Sequence, residues 1–141
     1  MEPKKLSYED FLKSLELCPR LVVELLLESE DKEIYLIKRE KIPFENHWHL
    51  PGGFLLKGEK IKKCALRIFK EEIGMKVDES LGDFIGLFET LDGDPRGHIL
   101  HYVIKYQRLE LPISNNKHFF RDQPELMIPY QKDFLRKLGY K

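Results

Sequence analysis

The chain has 141 residues, 42% of them hydrophobic and 34% charged, and its 24 basic residues are balanced by 24 acidic ones. This length predicts a single domain over residues 1–141, and zero net charge argues against a nucleic-acid polymer or an anionic membrane as a partner. Two cysteines are too few for a disulfide framework, and without a long apolar run or a signal region we expect a cytoplasmic protein.

The N-terminal elements are predicted to be a helix and a strand hairpin. Ser7 followed by Asp10 is typical of a capped helix start, and we expect that helix to run through Leu17. Leu21–Glu28 is almost continuously apolar and predicts a buried strand. After a polar turn, Glu33–Arg39 returns as a second strand.

A glycine turn at Pro51–Gly53 leads from a short predicted strand, Trp48–Leu50, towards the longest predicted helix. That helix, Glu59–Ile73, contains neither Gly nor Pro, and Gly74 follows it as a natural C-terminal cap. Its apolar residues recur at helical spacing and predict a stripe that packs on a sheet. They are Ile61, Cys64, Ala65, Ile68 and Phe69.

The remaining elements are strands and a final helix. Leu81–Thr90 and His98–Leu109 are predicted strands, and Phe119–Phe120 marks another short one. Ile128–Leu138 is a predicted amphipathic helix that begins with a proline. Because strands and helices alternate irregularly, the order predicts a mixed sheet with helices on both faces.

Two adjacent carboxylates, Glu71 and Glu72, stand at the end of the longest helix. Glu72 is one turn beyond Ile68 and Glu71 is three residues from it, so both are predicted near the packed face. A buried carboxylate is costly unless it is paired, protonated or bound to a cation. Beside a turn with free carbonyl groups, two of them suit Mg²⁺. The alternative is a solvated helix face on which Arg67 pairs with Glu71.

From residue 53 to residue 75 the sequence resembles the Nudix box, G-x5-E-x7-R-E-U-x-E-E-x-G-U, where U is apolar. The positions that match are Gly53, Glu59, Arg67, Phe69, Glu71, Glu72, Gly74 and Met75. The glutamate expected after the arginine is Ile68 here. The resemblance implies an α/β fold, an α/β/α sandwich with a mixed central sheet. It also implies a Mg²⁺-dependent hydrolase of nucleoside diphosphates linked to another group.

The first half of the chain is also similar to the GDP-mannose mannosyl hydrolases, which likewise have an apolar residue in place of that glutamate. Two departures from their pattern stand out. The arginine that follows the glycine pair in that branch is Phe54 here. Its catalytic histidine has no counterpart in residues 112–117.

The resemblance implies a site for Mg²⁺, with Mn²⁺ as the alternative ion. We expect Glu72, Glu71 and the carbonyl oxygen of Gly52 to hold the ion, with Glu59 behind them orienting Arg67. Arg67, Glu71 and Glu72 are the expected catalytic residues.

The expected substrate-binding residues are spread along the first half of the chain. Gly52 and Gly53 would lie under the phosphates, and Arg39 would bind the diphosphate with two hydrogen bonds. Glu24 interrupts a run of leucine and valine residues, so it either accepts hydrogen bonds from a base or sugar or alternates onto a solvent face. Arg39 has its own alternative as a solvated strand end.

The loop between the two long strands contains Asp92, Asp94 and Arg96, which either reach a substrate or merely stabilise turns. His98 and His101 should lie on opposite faces of one strand, so a paired metal site is not expected there.

The residue that activates water is not assigned by the sequence, because Ile68 cannot act as a base. Glu71, Glu125 and His118 are the candidates.

Two classes of function remain open. The first is a hydrolase of a nucleoside diphosphate conjugate, with an NDP-sugar preferred and ADP-ribose or a dinucleotide as the alternative. The second is a weakly active sensor that binds a nucleotide. The partner is in either case a small nucleotide, and a homodimer remains open.

Overall fold

Residues 2–141, the part of the chain that the computed structural model describes, fold into a mixed seven-stranded sheet with helices on both faces. The strands are β1 Arg20–Glu28, β2 Ile34–Lys38, β3 Trp48–His49, β4 Gly52–Phe54, β5 Asp83–Thr90, β6 Ile99–Gln107 and β7 Lys117–Phe120. The helices are α1 Tyr8–Leu17, α2 Ile61–Ile68 and α3 Pro129–Lys137. The predicted α/β/α arrangement is confirmed.

Strand β1 occupies the middle of the sheet, whose main path is β3-β2-β1-β6-β5. It pairs in parallel with β6 along its whole length and antiparallel with the short strand β4. In this register Glu24 lies opposite Gly52. The acidic residue of the first strand therefore stands beside the glycine turn, 28 positions later in the sequence.

Alternation along β1 divides the core between the two faces of the sheet. Val23, Leu25 and Leu27 point to the face covered by α2, whereas Leu26 packs on the face covered by α3. All of these side chains are fully buried, and each contributes about 1.5–3 kcal/mol relative to exposure. Ile68 of α2 is 2% exposed and belongs to the first of these clusters.

The predicted helix over residues 59–73 needs one correction. The α-helix begins at Ile61, and Phe69–Ile73 forms a π-helical turn that continues it. Glu59 stays outside because its carboxylate accepts a hydrogen bond from the backbone N–H of Leu56 at 3.2 Å. Gly74 ends the turn at φ 81°, a left-handed conformation that favours glycine, as expected.

The predicted glycine turn at Pro51–Gly53 also needs a correction, because Gly52–Phe54 forms strand β4 and pairs with β1. The remaining elements follow their predictions closely. The hydroxyl oxygen of Ser7 accepts from the backbone N–H of Asp10 at 3.1 Å and caps α1. Predicted strand ends differ by one or two residues, as is usual where pairing frays. No helix within residues 2–141 is long and apolar enough to cross a membrane.

Candidate active site

Two adjoining cavities open beside the Gly52–Gly53 backbone. The inner pocket, about 120 Å³, is lined by Gly52, Gly53, Glu24, Phe54, Arg96 and Tyr130 together with three residues that it shares with the outer pocket. The outer pocket, about 470 Å³, is lined by Lys38, Lys41, Glu71, Asn116 and Lys117. The shared residues are Arg39, His49 and Glu72. A ligand that spans both cavities must pass these three side chains.

Glu72 lies at the boundary between the two pockets. Its Oε2 accepts a hydrogen bond from the backbone N–H of Gly52 at 3.2 Å. The pKa of the Glu72 carboxyl group is raised to about 7, mainly by burial and in addition by the nearby carboxyl group of Glu24. The hydrogen bond to Gly52 and the charge of Arg39 act in the opposite direction. A partly buried carboxylate that lacks full compensation is a good ligand for a cation.

Glu71 is not near the packed face, and that part of the prediction is wrong. Its side chain is 40% exposed and pairs with Lys5 at 2.9 Å and with Arg67 at 3.4 Å. The pair with Arg67 spans four residues, the spacing that brings two side chains together on a helix surface. Glu71 contributes to the outer pocket, whereas Glu72 contributes to both.

The described residues can hold a metal ion only with help from water or substrate. Within residues 2–141, no group of three His, Cys, Asp or Glu side chains is arranged to bind one. The oxygen ligand at hand is the carboxylate of Glu72, which accepts from the backbone N–H of Gly52, and the carbonyl oxygen of Gly52 stays a predicted ligand. One carboxylate fits Mg²⁺, which keeps several water molecules and takes one or two carboxylates plus phosphate oxygens.

Arg67 and Glu59 form a fixed pair behind the glycine strand. The Nε of Arg67 donates to Glu59 at 2.8 Å, and its Nη2 donates to the carbonyl oxygen of Phe54 at 2.9 Å. The pair ties α2 to the loop that precedes it. Neither side chain lines the inner or the outer pocket. As predicted, Glu59 orients Arg67.

Glu24 lies at the floor of the inner pocket and not on a solvent face, since it is 3% exposed. Its Oε1 is 3.3 Å from Nδ1 of His101 and 3.5 Å from Nε2 of Gln131. Burial raises the pKa of Glu24. A Cβ atom at Gly52 would lie 2.5 Å from Oε2 of Glu24, so only glycine permits this approach. His101 is packed, with 1% of its surface exposed, whereas His98 lies just before β6 and pairs with Glu89.

Two arginines line the inner pocket. The Nε of Arg39 donates to the carbonyl oxygen of Pro43 at 2.7 Å, so this side chain also holds the β2–β3 loop. Arg96 comes from the β5–β6 loop and pairs with Asp94 at 2.7 Å. Burial lowers the pKa of Arg39, and the positive charge of Arg96 lowers it further. The two cations therefore gather where an anion would relieve their repulsion.

His49 is a pocket residue that no sequence pattern indicated. Its Nδ1 lies 2.7 Å from the carbonyl oxygen of Leu50, so Nδ1 carries the hydrogen and Nε2 is an acceptor. Burial lowers the pKa of His49 to about 4, with further lowering by Arg39 and Arg96. The only available signal was its position, three residues before Gly52. Lys117 was also missed, and its Nζ donates to the carbonyl oxygen of Glu72 at 2.6 Å.

The other candidate bases lie outside both pockets. Glu125 is exposed, and His118 packs with its ring centre 4.8 Å from that of Trp48. Ile68 lies beneath the glycine strand, 3.2 Å from the place that a Cβ atom of Gly53 would occupy. Hydrocarbon therefore fills the position at which the Nudix box has a glutamate.

The family model for the NUDIX domain matches residues 19–126. The chain belongs to the Nudix family. This confirms the family that the spacing from residue 53 to residue 75 indicated. The match includes the residues of the inner pocket from Val22 to Arg96, but it ends before α3, which contributes Tyr130 and Gln131.

Individual relatives agree with this assignment. The chain is 37% identical over 89 residues to the ADP-ribose pyrophosphatase of Methanocaldococcus jannaschii, covering 63% of the chain and 51% of that protein. The chain spans about half the length, or less, of the curated relatives it matches. These relatives do not show the GDP-mannose mannosyl hydrolase branch that the first half of the sequence suggested.

Solved structures show the same fold at lower identity. The MutT NUDIX hydrolase from Burkholderia pseudomallei has a TM-score of 0.75 at 21% identity, covering 86% of this chain and 99% of that one. A bifunctional NMN adenylyltransferase/ADP ribose pyrophosphatase from Francisella tularensis, complexed with AMP and Mn ion, has a TM-score of 0.71 at 18% identity. It covers 92% of this chain and 46% of that chain. The sandwich is therefore a Nudix fold.

Proposed function

We propose that this chain is a metal-dependent hydrolase of a nucleoside diphosphate linked to a sugar, with ADP-ribose as the first candidate. The observation that carries the proposal is the boundary between the pockets, where Glu72 and Arg39 stand together beside Gly52. A carboxylate for a cation and a guanidinium for a phosphate are the groups that a metal-bound diphosphate requires. We treat residues 1–141 as one domain of a cytoplasmic protein.

In this proposal Glu72 and the carbonyl oxygen of Gly52 hold Mg²⁺ or Mn²⁺. Glu71, which is exposed in the outer pocket, would contact the ion through a water molecule. When bound, the ion neutralises the diphosphate and favours attack by water. Arg67 and Glu59 keep the strand that carries Gly53 in place.

The diphosphate would lie over Gly52 and Gly53, with Arg39 donating to its oxygens. The nucleoside or the sugar then extends into the outer pocket, whose 470 Å³ is wide enough for either. Lys38, Lys41 and Lys117 give that cavity cations for a negatively charged ligand. The inner pocket, about 120 Å³, suits a phosphate group and a cation better than a nucleoside.

ADP-ribose is preferred to GDP-mannose and similar NDP-sugars for two reasons. The relative at 37% identity is an ADP-ribose pyrophosphatase, and a bifunctional protein of the same fold carries that activity in its name. In addition, Oε1 of Glu24 already faces His101 and Gln131, which leaves this side chain less able to select a base or sugar. NDP-sugar hydrolysis remains the second candidate substrate class.

A nucleotide sensor of low activity is the alternative function, and Ile68 is the observation that favours it. Its side chain supplies no oxygen for a second ion and no base. Among residues 2–141 the inner pocket retains two carboxylates, two arginines and a neutral histidine, which suffice for binding.

The test is a substrate panel of ADP-ribose, GDP-mannose, other NDP-sugars and dinucleoside polyphosphates, each with Mg²⁺, with Mn²⁺ and with EDTA. We expect metal-dependent release of AMP from ADP-ribose. Hydrolysis of NDP-sugars but not of ADP-ribose would support NDP-sugars, the second candidate substrate class. Binding of ADP-ribose without turnover would support the sensor, and neither binding nor turnover of any compound would refute both.

A further inference from the structure

Arg96 is held in an unusually fixed position at the wall of the inner pocket. Its Nε and Nη2 donate to the two carboxylate oxygens of Asp94 at 3.0 and 2.7 Å. Its backbone N–H donates to the same carboxylate at 2.8 Å. An arginine whose side chain is already held by a carboxylate on one edge loses little conformational entropy when it binds a second anion.

The carboxylate that holds Arg96 is itself fixed. The side chain of Asp94 is fully buried, and the hydroxyl group of Tyr130 donates to its Oδ2 at 2.8 Å. Besides the backbone N–H of Arg96, which makes a turn contact, a tyrosine from α3 and the guanidinium group of Arg96 donate to the Asp94 carboxylate. These added contacts set the direction of Arg96.

One edge of the guanidinium group remains open. No acceptor within residues 2–141 takes a hydrogen bond from Nη1 of Arg96, and its side chain is 22% exposed and lines the inner pocket. Guanidinium groups donate in a planar fork that matches phosphate oxygens. The open edge therefore suits an anion in this pocket.

The ring of Phe54 explains why this position matters. The residue after the glycine pair is Phe54, so the local sequence places no cation there. The guanidinium carbon of Arg96 lies 5.5 Å from the centre of that ring. A cation from a distant loop thus stands over the residue at which the local sequence lacks one.

We propose that Arg96 is a second diphosphate-binding residue, positioned by Asp94 and Tyr130, and that it compensates for the absence of an arginine at position 54. This inference rests on the proposed function. Arg39 and Arg96 then donate to the diphosphate from two different loops, while Glu72 and its cation complete the charge balance. The alternative is that Arg96 only fastens the β5–β6 loop.

The chain provides a matched control beside the same ring. The guanidinium carbon of Arg20 lies 4.9 Å from the centre of Phe54, and its Nη1 donates to the hydroxyl group of Ser14. Arg20 lines neither pocket. Arg20→Lys and Arg96→Lys therefore change the same chemistry beside the same ring, but only Arg96 faces the ligand.

The experiment measures inorganic pyrophosphate binding in the presence of Mg²⁺, and steady-state kinetics on ADP-ribose, for both variants. We expect Arg96→Lys to weaken pyrophosphate binding roughly tenfold and to raise KM by a similar factor, because lysine cannot pair with Asp94 and a phosphate at once. Arg20→Lys should bind like the wild type. Tyr130→Phe, which loosens Asp94, should raise KM by a smaller factor with kcat largely retained.

A measurement on the wild-type protein covers the case in which Arg96→Lys does not fold. The side-chain ¹⁵N–¹H resonance of Arg96 should shift when pyrophosphate is added, whereas that of Arg20 should stay in place. Equal pyrophosphate binding by a folded Arg96→Lys variant, or an unmoved Arg96 resonance in a protein that binds pyrophosphate, overturns the inference alone. A wild-type protein that binds neither pyrophosphate nor any nucleotide overturns the proposed function instead.

Discussion

Glu72 is the residue on which the proposed metal binding depends most. It is the acid that lines both pockets, and it contacts the backbone of Gly52. Glu71, its neighbour in the sequence, is exposed and already paired with Lys5 and Arg67. Adjacent glutamates therefore have different surroundings, and substitution of each should have a different effect.

Glu72→Gln should remove most of the stabilisation that Mg²⁺ gives to the folded protein. A ligand that binds only the native state at a hundred times its dissociation constant adds about 2.7 kcal/mol, and the neutral amide is a much weaker ligand. Thermal unfolding with and without Mg²⁺ measures the effect. Glu71→Gln is the matched control and should keep most of the response. Unchanged stabilisation of Glu72→Gln would remove Glu72 from the site.

Arg39→Ala should raise KM roughly tenfold, the equivalent of about 1.4 kcal/mol of lost binding free energy. Because Arg39 also donates to the carbonyl oxygen of Pro43, some of this loss comes from the β2–β3 loop. Arg39→Lys keeps the positive charge near the phosphates but loses the planar guanidinium donors, including the one that contacts Pro43. A KM near that of the wild type would then show that the charge alone accounts for the effect. If kcat falls and KM stays constant, Arg39 acts only on the charge that develops in the transition state.

Helix α2 shows at the scale of an element how packing and chemistry compete for one position. Ile68 faces the sheet, contacts the region of Gly53 and is almost fully buried. A glutamate there would add a charge four residues from Glu72, whose pKa burial already raises. The isoleucine removes that repulsion and adds apolar contact.

Ile68→Glu should destabilise the fold by roughly 3 kcal/mol, because it buries an unpaired charge in an apolar cluster. Ile68→Gln is the control that has nearly the same shape and no charge. Urea unfolding with and without Mg²⁺ is the measurement. Recovery by Mg²⁺ together with higher turnover would indicate a Nudix site that lacks one ligand. Destabilisation that Mg²⁺ leaves in place would indicate a core adapted to isoleucine.

Local elements were predictable because their signals are local. The Ser7 cap, the hairpin and Gly74 all depend on residues within a few positions of each other. The π-helical turn at Phe69–Ile73 was not predictable, because it depends on how the end of α2 packs on the sheet. The burial predicted for Glu71 was wrong because Glu71 lies four residues from Arg67 on the helix surface and pairs with it and with Lys5 there.

The pockets could be predicted only in part, because their walls come from distant segments. Glu24, Arg39 and Gly52 were found through the family resemblance, and they do line the inner pocket. His49 has no motif of its own. Arg96 looked like part of a turn, and only the folded β5–β6 loop carries it over Phe54.

For the whole molecule, the pH dependence of stability combines two groups that act in opposite directions. The pKa of Glu72 is raised from 4.5 to about 7, so its contribution is fully present below pH 4.5 and is lost as pH rises through 7. The pKa of His49 is lowered from 6.5 to about 4, so its contribution is present above pH 6.5 and is lost as pH falls through 4. Each amounts to roughly 3 kcal/mol.

Without metal, Glu72 should therefore offset much of the rise in stability that His49 gives between pH 4.5 and 6.5. Glu72→Gln removes this offset, so stability should rise more steeply with pH in the variant than in the wild type, while Glu24, whose pKa burial also raises, acts in both proteins. Urea unfolding at several pH values, in EDTA, provides the comparison. A wild-type curve as steep as that of the variant would mean that Glu72 titrates as an ordinary exposed carboxyl group.

The floor of the inner pocket joins the first strand of the sheet to its last long strand and its last helix. The contacts of Glu24 reach 77 residues to His101 and 107 residues to Gln131. Contacts of such separation form late, after the loops between them have closed. During synthesis from the N-terminus, Glu24 therefore leaves the ribosome long before any of its partners exist. Until His101 and Gln131 have both emerged, water alone solvates the carboxylate of Glu24, so the floor of the pocket can form only after α3 is available.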